Sequence, residues 1–130
     1  MNILELKDQF HKEGVNSEDW DKVSSRLRVL AYEFIDYCKT HQLPCVFTSI
    51  IRPKLPQSRT DIHARGRAFD CSVHGWSLEQ ILKCEKYFCE LYIKIGAISD
   101  RDGISRACVY ESPDYNGRGN GPHFHFQVRP

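Results

Sequence analysis

The stretch His123-Phe124-His125-Phe126-Gln127-Val128 alternates polar and apolar side chains from end to end. Successive side chains of an extended strand point to opposite faces, so Phe124, Phe126 and Val128 belong to a core, and His123, His125 and Gln127 share the other face. Residues 67–73, Arg-Ala-Phe-Asp-Cys-Ser-Val, have the same parity. As a strand they turn Phe69, Cys71 and Val73 inward and Ala68, Asp70 and Ser72 outward. Strands with one apolar face need a second layer to cover it.

Helices supply that layer. Leu4, Leu6 and Phe10 predict a short first helix ending near Gly14. Ser17 is a candidate N-cap, and Glu18 and Asp19 suit the positive end of the helix dipole that follows. Trp20, Val23, Leu27, Leu30, Ala31, Phe34, Ile35 and Cys38 then recur at three- and four-residue steps, one apolar face running to about His41. Ser77 with Gln80 is a capping-box signature opening a third helix, whose face includes Ile81, Leu82, Phe88 and Tyr92. Residues 45–51 and 107–111 read as further strands, the last strand extends over 123–129, and 54–66 and 112–121 are loops. The order α, α, β, β, α, β, β predicts an α+β fold with a small, mostly antiparallel sheet. Nothing divides the chain, so residues 1–130 are expected to form one domain, with N-terminal helices in 1–43 and a core in 44–130.

Composition excludes several classes. The 130 residues carry 18 Lys+Arg against 17 Asp+Glu, a net charge of +1, and the basic residues are scattered, so no footprint for nucleic acid or an anionic membrane is visible. No apolar run approaches the roughly 18–20 residues of a membrane span. The first residues alternate charges where a secretory signal would be apolar, which predicts synthesis in the cytoplasm without a signal peptide. None of the six cysteines is spaced as CxxC, so free, mostly buried thiols are expected. Asp100-Arg101-Asp102-Gly103 reads as a turn rather than a cation loop, and the chain is expected to act as a monomer.

The chemistry concentrates in His63-Ala64-Arg65-Gly66-Arg67-Ala68-Phe69-Asp70. Gly66 permits a sharp turn that folds His63 back beside Asp70. With His125 these residues offer three ligands, the number that leaves a fourth position on zinc open for water. This pattern, preceded by Thr48-Ser49-Ile50-Ile51-Arg52 and followed by His123-Phe124-His125, resembles the zinc D-alanyl-D-alanine metallopeptidases. That group includes peptidoglycan carboxypeptidases and phage endolysins and shares its fold with the hedgehog signalling domain. The resemblance spans about residues 46–129.

It implies His63, Asp70 and His125 as zinc ligands, Arg52 as a substrate contact, and His123 as a hydrogen-bonding partner of the zinc water or the tetrahedral intermediate. The activity it implies is cleavage of a peptidoglycan stem-peptide bond involving a D-amino acid, as a D-Ala-D-Ala carboxypeptidase or an L-Ala-D-Glu endopeptidase. A phage-type endolysin would reach the wall after release through a holin. Two positions depart from the family. Asp61 stands where a serine is usual, and Gly119-Asn120-Gly121-Pro122 offers no carboxylate ahead of the last ligand, where relatives place a general base. Asp114 and Glu111 are the nearest upstream acids; Asp114 is a candidate base, and His123 is the other. The missing carboxylate keeps open a non-catalytic, hedgehog-like zinc-binding module, and a virion structural protein is a third reading.

Overall fold

The computed structural model describes residues 2–52, 62–99, 102–112 and 121–130. Along the chain lie α1 (Ile3–Lys7), a 3-10 helix (Ser17–Lys22), α2 (Ser25–His41), β1 (Phe47–Ser49), β2 (Ala68–Ser72), α3 (Leu78–Leu91), β3 (Ala97–Ile98), β4 (Ser105–Arg106), β5 (Cys108–Glu111) and β6 (His123–Gln127). Strands β1, β2, β6 and β5 form one antiparallel sheet in that order, and β3 and β4 pair separately. The fold is α+β, as the element order predicts.

The apolar faces meet as their parity requires. Phe69 of β2 stacks on Phe126 of β6 with ring centroids 4.8 Å apart. Phe34 of α2 lies 4.9 Å from Phe126 and 5.9 Å from Phe124, and Phe88 of α3 meets Phe126 edge-on at 5.2 Å. All five rings are fully buried. Each contributes roughly 1.5–3 kcal/mol of hydrophobic stabilisation, which is what fixes the strand faces. The capping box of α3 is present, with the Ser77 side chain accepting from Gln80 N and the Gln80 side chain accepting from Ser77 N.

Three boundaries differ from the sequence reading. The first helix stops at Lys7 because residues 10–12 are drawn alongside β1: Phe47 N donates to Phe10 O at 3.0 Å and Lys12 N to Phe47 O at 2.9 Å. The expected helix from Ser17 to His41 is two helices. Asn16, not Ser17, caps the 3-10 helix, and Ser24 caps α2 by accepting from Leu27 N. Trp20 and Val23 are still buried with the α2 face, so both helices share one core and the periodicity ran through the break. The strand expected over 45–51 is only three residues long, with an irregular register against β2, and the β3–β4 hairpin was not foreseen. Among the described residues no helix is long and apolar enough to cross a membrane. All six cysteines are free, with Cys38, Cys71, Cys84 and Cys108 buried and Cys45 and Cys89 partly so.

Register sets the other face. Asp70 of β2 lies opposite His125 of β6, Ser72 opposite His123 and Ala68 opposite Gln127, and across the next pair Glu111 of β5 lies opposite His123. Ser49 of β1 is paired with Asp70. The polar face therefore carries Asp70, His123, His125, Gln127 and Glu111 side by side.

Candidate metal centre

His63 arrives from the turn ahead of β2. Gly66 adopts φ +69°, and a Cβ there would stand 2.8 Å from the Lys22 carbonyl oxygen and 3.0 Å from Val23 Cα. Only glycine fits both the left-handed backbone and the close approach. The turn is closed by Gly66 N donating to His63 O and Arg67 N to Ile62 O, and Ser24 N, at the break between the two helices, donates to Gly66 O at 2.9 Å. His63 is 5% exposed as a result.

The side chains converge on one carboxylate oxygen. His125 Nδ1 lies 3.0 Å from Asp70 Oδ1, and His63 Nε2 lies 3.4 Å from the same oxygen. Asp70 is 3% exposed. One ligand atom from each of the three residues falls within 4.8 Å of the others. His63 Nδ1 faces the Ile50 carbonyl at 3.1 Å, which can only accept, so this nitrogen carries the proton and Nε2 is left with its lone pair. That Nε2 is buried and has no hydrogen-bond partner among the described residues. Buried polar atoms are nearly always satisfied, so an acceptor lone pair between a second imidazole and a carboxylate is suited to an electrophile. The His63-Asp70-His125 group could hold a metal ion.

Comparison with family models, curated proteins and solved structures found no match. The chemistry therefore rests on the residues themselves.

Arg52 and His123 frame the group. Arg52 Nη1 reaches Asp70 Oδ2 at 3.4 Å, on the oxygen that the histidines leave, while half of its side chain is exposed. His123 Nδ1 donates to Gly121 O at 2.9 Å, and its Nε2 lies 2.8 Å from Glu111 Oε2. Both acceptors lack protons, so the ring is held as imidazolium. Burial disfavours that charge, but the Glu111 hydrogen bond, with help from the Gly121 carbonyl and Asp70, outweighs it and raises the His123 pKa to about 9. Glu111 is held below the usual carboxylate range: burial would raise it, and the hydrogen bond from His123 prevails. Asp70 follows the same logic, its burial overcome by the hydrogen bond from His125 and the nearness of His63, so it stays ionised. Burial disfavours the charged His125 too, yet the bond to Asp70 raises its proton affinity.

Asp114 lies outside the described residues, as does Asp61. Among the described residues the carboxylate beside His123 is Glu111. Position in the sequence makes Glu111 only a nearby acid; the parity of 108–111 against 123–127 is the signal that places it across from His123. Strand parity places Gln127 on the polar face and gives it no role. It accepts from His125 Nε2 through Oε1 at 3.0 Å.

Proposed function

We propose that the protein is a zinc-dependent peptidoglycan peptidase of the D-alanyl-D-alanine metallopeptidase type, with a hedgehog-like core. The observation that carries this reading is the buried, unpartnered Nε2 of His63 facing Asp70 and His125. Donors on a tetrahedral zinc with bonds of about 2.0–2.1 Å stand roughly 3.3 Å apart. The 3.4 and 3.0 Å separations from Asp70 Oδ1 suit that set. Two imidazoles and one carboxylate are also borderline ligands that suit zinc better than a hard, all-oxygen ion.

When bound, zinc supplies Lewis acidity that polarises a scissile carbonyl and acidifies water. The chain's own residues do the rest. Glu111, ionised and on the same face, takes the proton of the attacking water. His123, held as imidazolium with its N–H groups on Gly121 O and Glu111, sets its positive charge on the face where the oxyanion develops. Arg52, tethered to Asp70 by one nitrogen, has further donors for a substrate carbonyl or carboxylate. A cleft of about 250 Å³ lined by residues 14–16, Asp19 and residues 48–52 includes Arg52 and would seat part of a peptide. Substrate is a stem peptide containing a D-amino acid, and the lysis role, with release through a holin, belongs to the same proposal.

The test is incubation of zinc-loaded protein with peptidoglycan sacculi, with and without a chelator, and mass spectrometry of the soluble fragments. A product that the chelator abolishes is the expected result, and its mass names the bond. Folded, zinc-loaded protein that releases nothing would instead support the non-catalytic zinc module.

A further inference from the structure

We propose that Gln127 is a positioning residue that fixes His125 as the Nε2–H tautomer and thereby presents Nδ1 to the metal ion. The inference rests on the metal reading above and extends it to a residue that neither the resemblance nor the ligand count points to.

The chain of donors and acceptors admits one assignment. Gln127 Nε2 donates to the Arg106 carbonyl at 3.0 Å, and a carbonyl cannot donate, so the amide end facing Arg106 is the NH2. The other end is then Oε1, and it lies 3.0 Å from His125 Nε2. An amide oxygen only accepts, so His125 Nε2 must carry a proton. Without metal, Nδ1 carries the second proton and donates it to Asp70 Oδ1 at 3.0 Å; a cation that displaces that proton finds the lone pair on Nδ1, because Nε2 keeps its own proton for Gln127. A backbone carbonyl orients an amide, the amide orients an imidazole, and the imidazole turns Nδ1 toward the site.

The backbone holds this relay rigid at both ends. Gln127 is the last residue of β6, opposite Ala68, and its own N–H donates to Ala107 O at 3.0 Å, directly beside the Arg106 carbonyl that its side chain uses. His63 has a parallel arrangement with the nitrogens exchanged: its Nδ1 is tied to the Ile50 carbonyl and its Nε2 is bare. The two histidines thus offer different ring nitrogens, and each is held by a partner on the nitrogen that does not face Asp70. Hydrogen bonds of this kind fix the tautomer and orientation of ligating histidines and raise their basicity.

The test uses the full chain and does not need catalysis. Zinc affinity is measured by competition with a chromophoric chelator for wild type, Gln127→Leu and Gln127→Glu, alongside the thermal transition of each metal-free chain. The His125 ring nitrogens are observed by 15N NMR in the zinc-loaded wild type. The expected results are a loss of affinity of about 10- to 100-fold in Gln127→Leu, recovery of most of it in Gln127→Glu, which keeps an acceptor opposite Nε2, and a wild-type His125 with a protonated Nε2 and a metal-shifted Nδ1. Unchanged affinity in a folded Gln127→Leu chain, or a metal shift on His125 Nε2, would overturn the positioning role while leaving the metal site standing. Absence of zinc uptake by wild type would overturn both. The wild-type spectrum decides the matter even if Gln127→Leu fails to fold.

Discussion

His123 and Glu111 carry two predictions. If Glu111 is the base, Glu111→Gln lowers the rate of stem-peptide cleavage by about 10²- to 10⁴-fold, the range for loss of a positioned acid or base. Zinc affinity should stay within a few-fold of wild type, because Glu111 is not among the three ligands. Loss of zinc with loss of rate would mean that the residue supports the metal and not the proton transfer. The second prediction concerns pH in the metal-free chain. The folded pKa of His123 is raised from 6.5 to about 9, so its pairing stabilises the fold fully below pH 6.5 and is lost as pH rises through about 9. Glu111 is shifted the opposite way from 4.5, so its share is present above that value and lost as pH falls through its lowered pKa. Urea denaturation across this range should show wild type more stable than Glu111→Gln between about pH 5 and 7, with the difference shrinking toward pH 9 and above. A difference that is flat from pH 6 to 10 would mean that the pair contributes no charge-dependent stability.

Among the elements, the turn before β2 is the most exposed to a single change. Gly66→Ala meets a left-handed φ, costing roughly 1–2 kcal/mol, and a backbone oxygen that cannot rotate away, so a total of about 2–4 kcal/mol is expected by chemical denaturation. Zinc affinity should fall with it, since the same turn places His63. A loss below about 0.5 kcal/mol would show that the turn relaxes without strain. This turn also marks what the sequence disclosed. Gly66 was readable as a reversal because few residues tolerate its conformation, and β2 and β6 were readable because period-two alternation in Phe69-Asp70-Cys71 and in 123–128 leaves one choice of face. The end of α1 and the start of α2 were not readable. Residues 10–12 leave the helical path to bond Phe47, and Ser24 breaks a continuous apolar stripe to bond Gly66, both partners far away in sequence. Strands β3 and β4 are two residues each, too short to show a period. Glu111 was legible only once β5 and β6 were set in register, and Gln127's role required the Arg106 carbonyl, which no side-chain pattern reveals.

At the scale of the molecule, one sheet separates two tasks. Helices α2 and α3 close its apolar face with Phe34 and Phe88, and that burial dictates which residues of β2 and β6 turn to the opposite face. Asp70 and His125 meet there because their strands pair in register, and His63 joins them because the preceding turn is pinned to the break ahead of α2. The His63-Asp70-His125 group is thus built from segments separated in sequence and joined by the core, so it depends on the fold as a whole. The most direct test of this account is the zinc content and affinity of the purified chain and of His63→Ala, Asp70→Ala and His125→Ala, each checked for a cooperative thermal transition. The account predicts one zinc per wild-type chain and a severe loss of affinity in every variant. Wild type without zinc, or normal zinc content in all three folded variants, would contradict it.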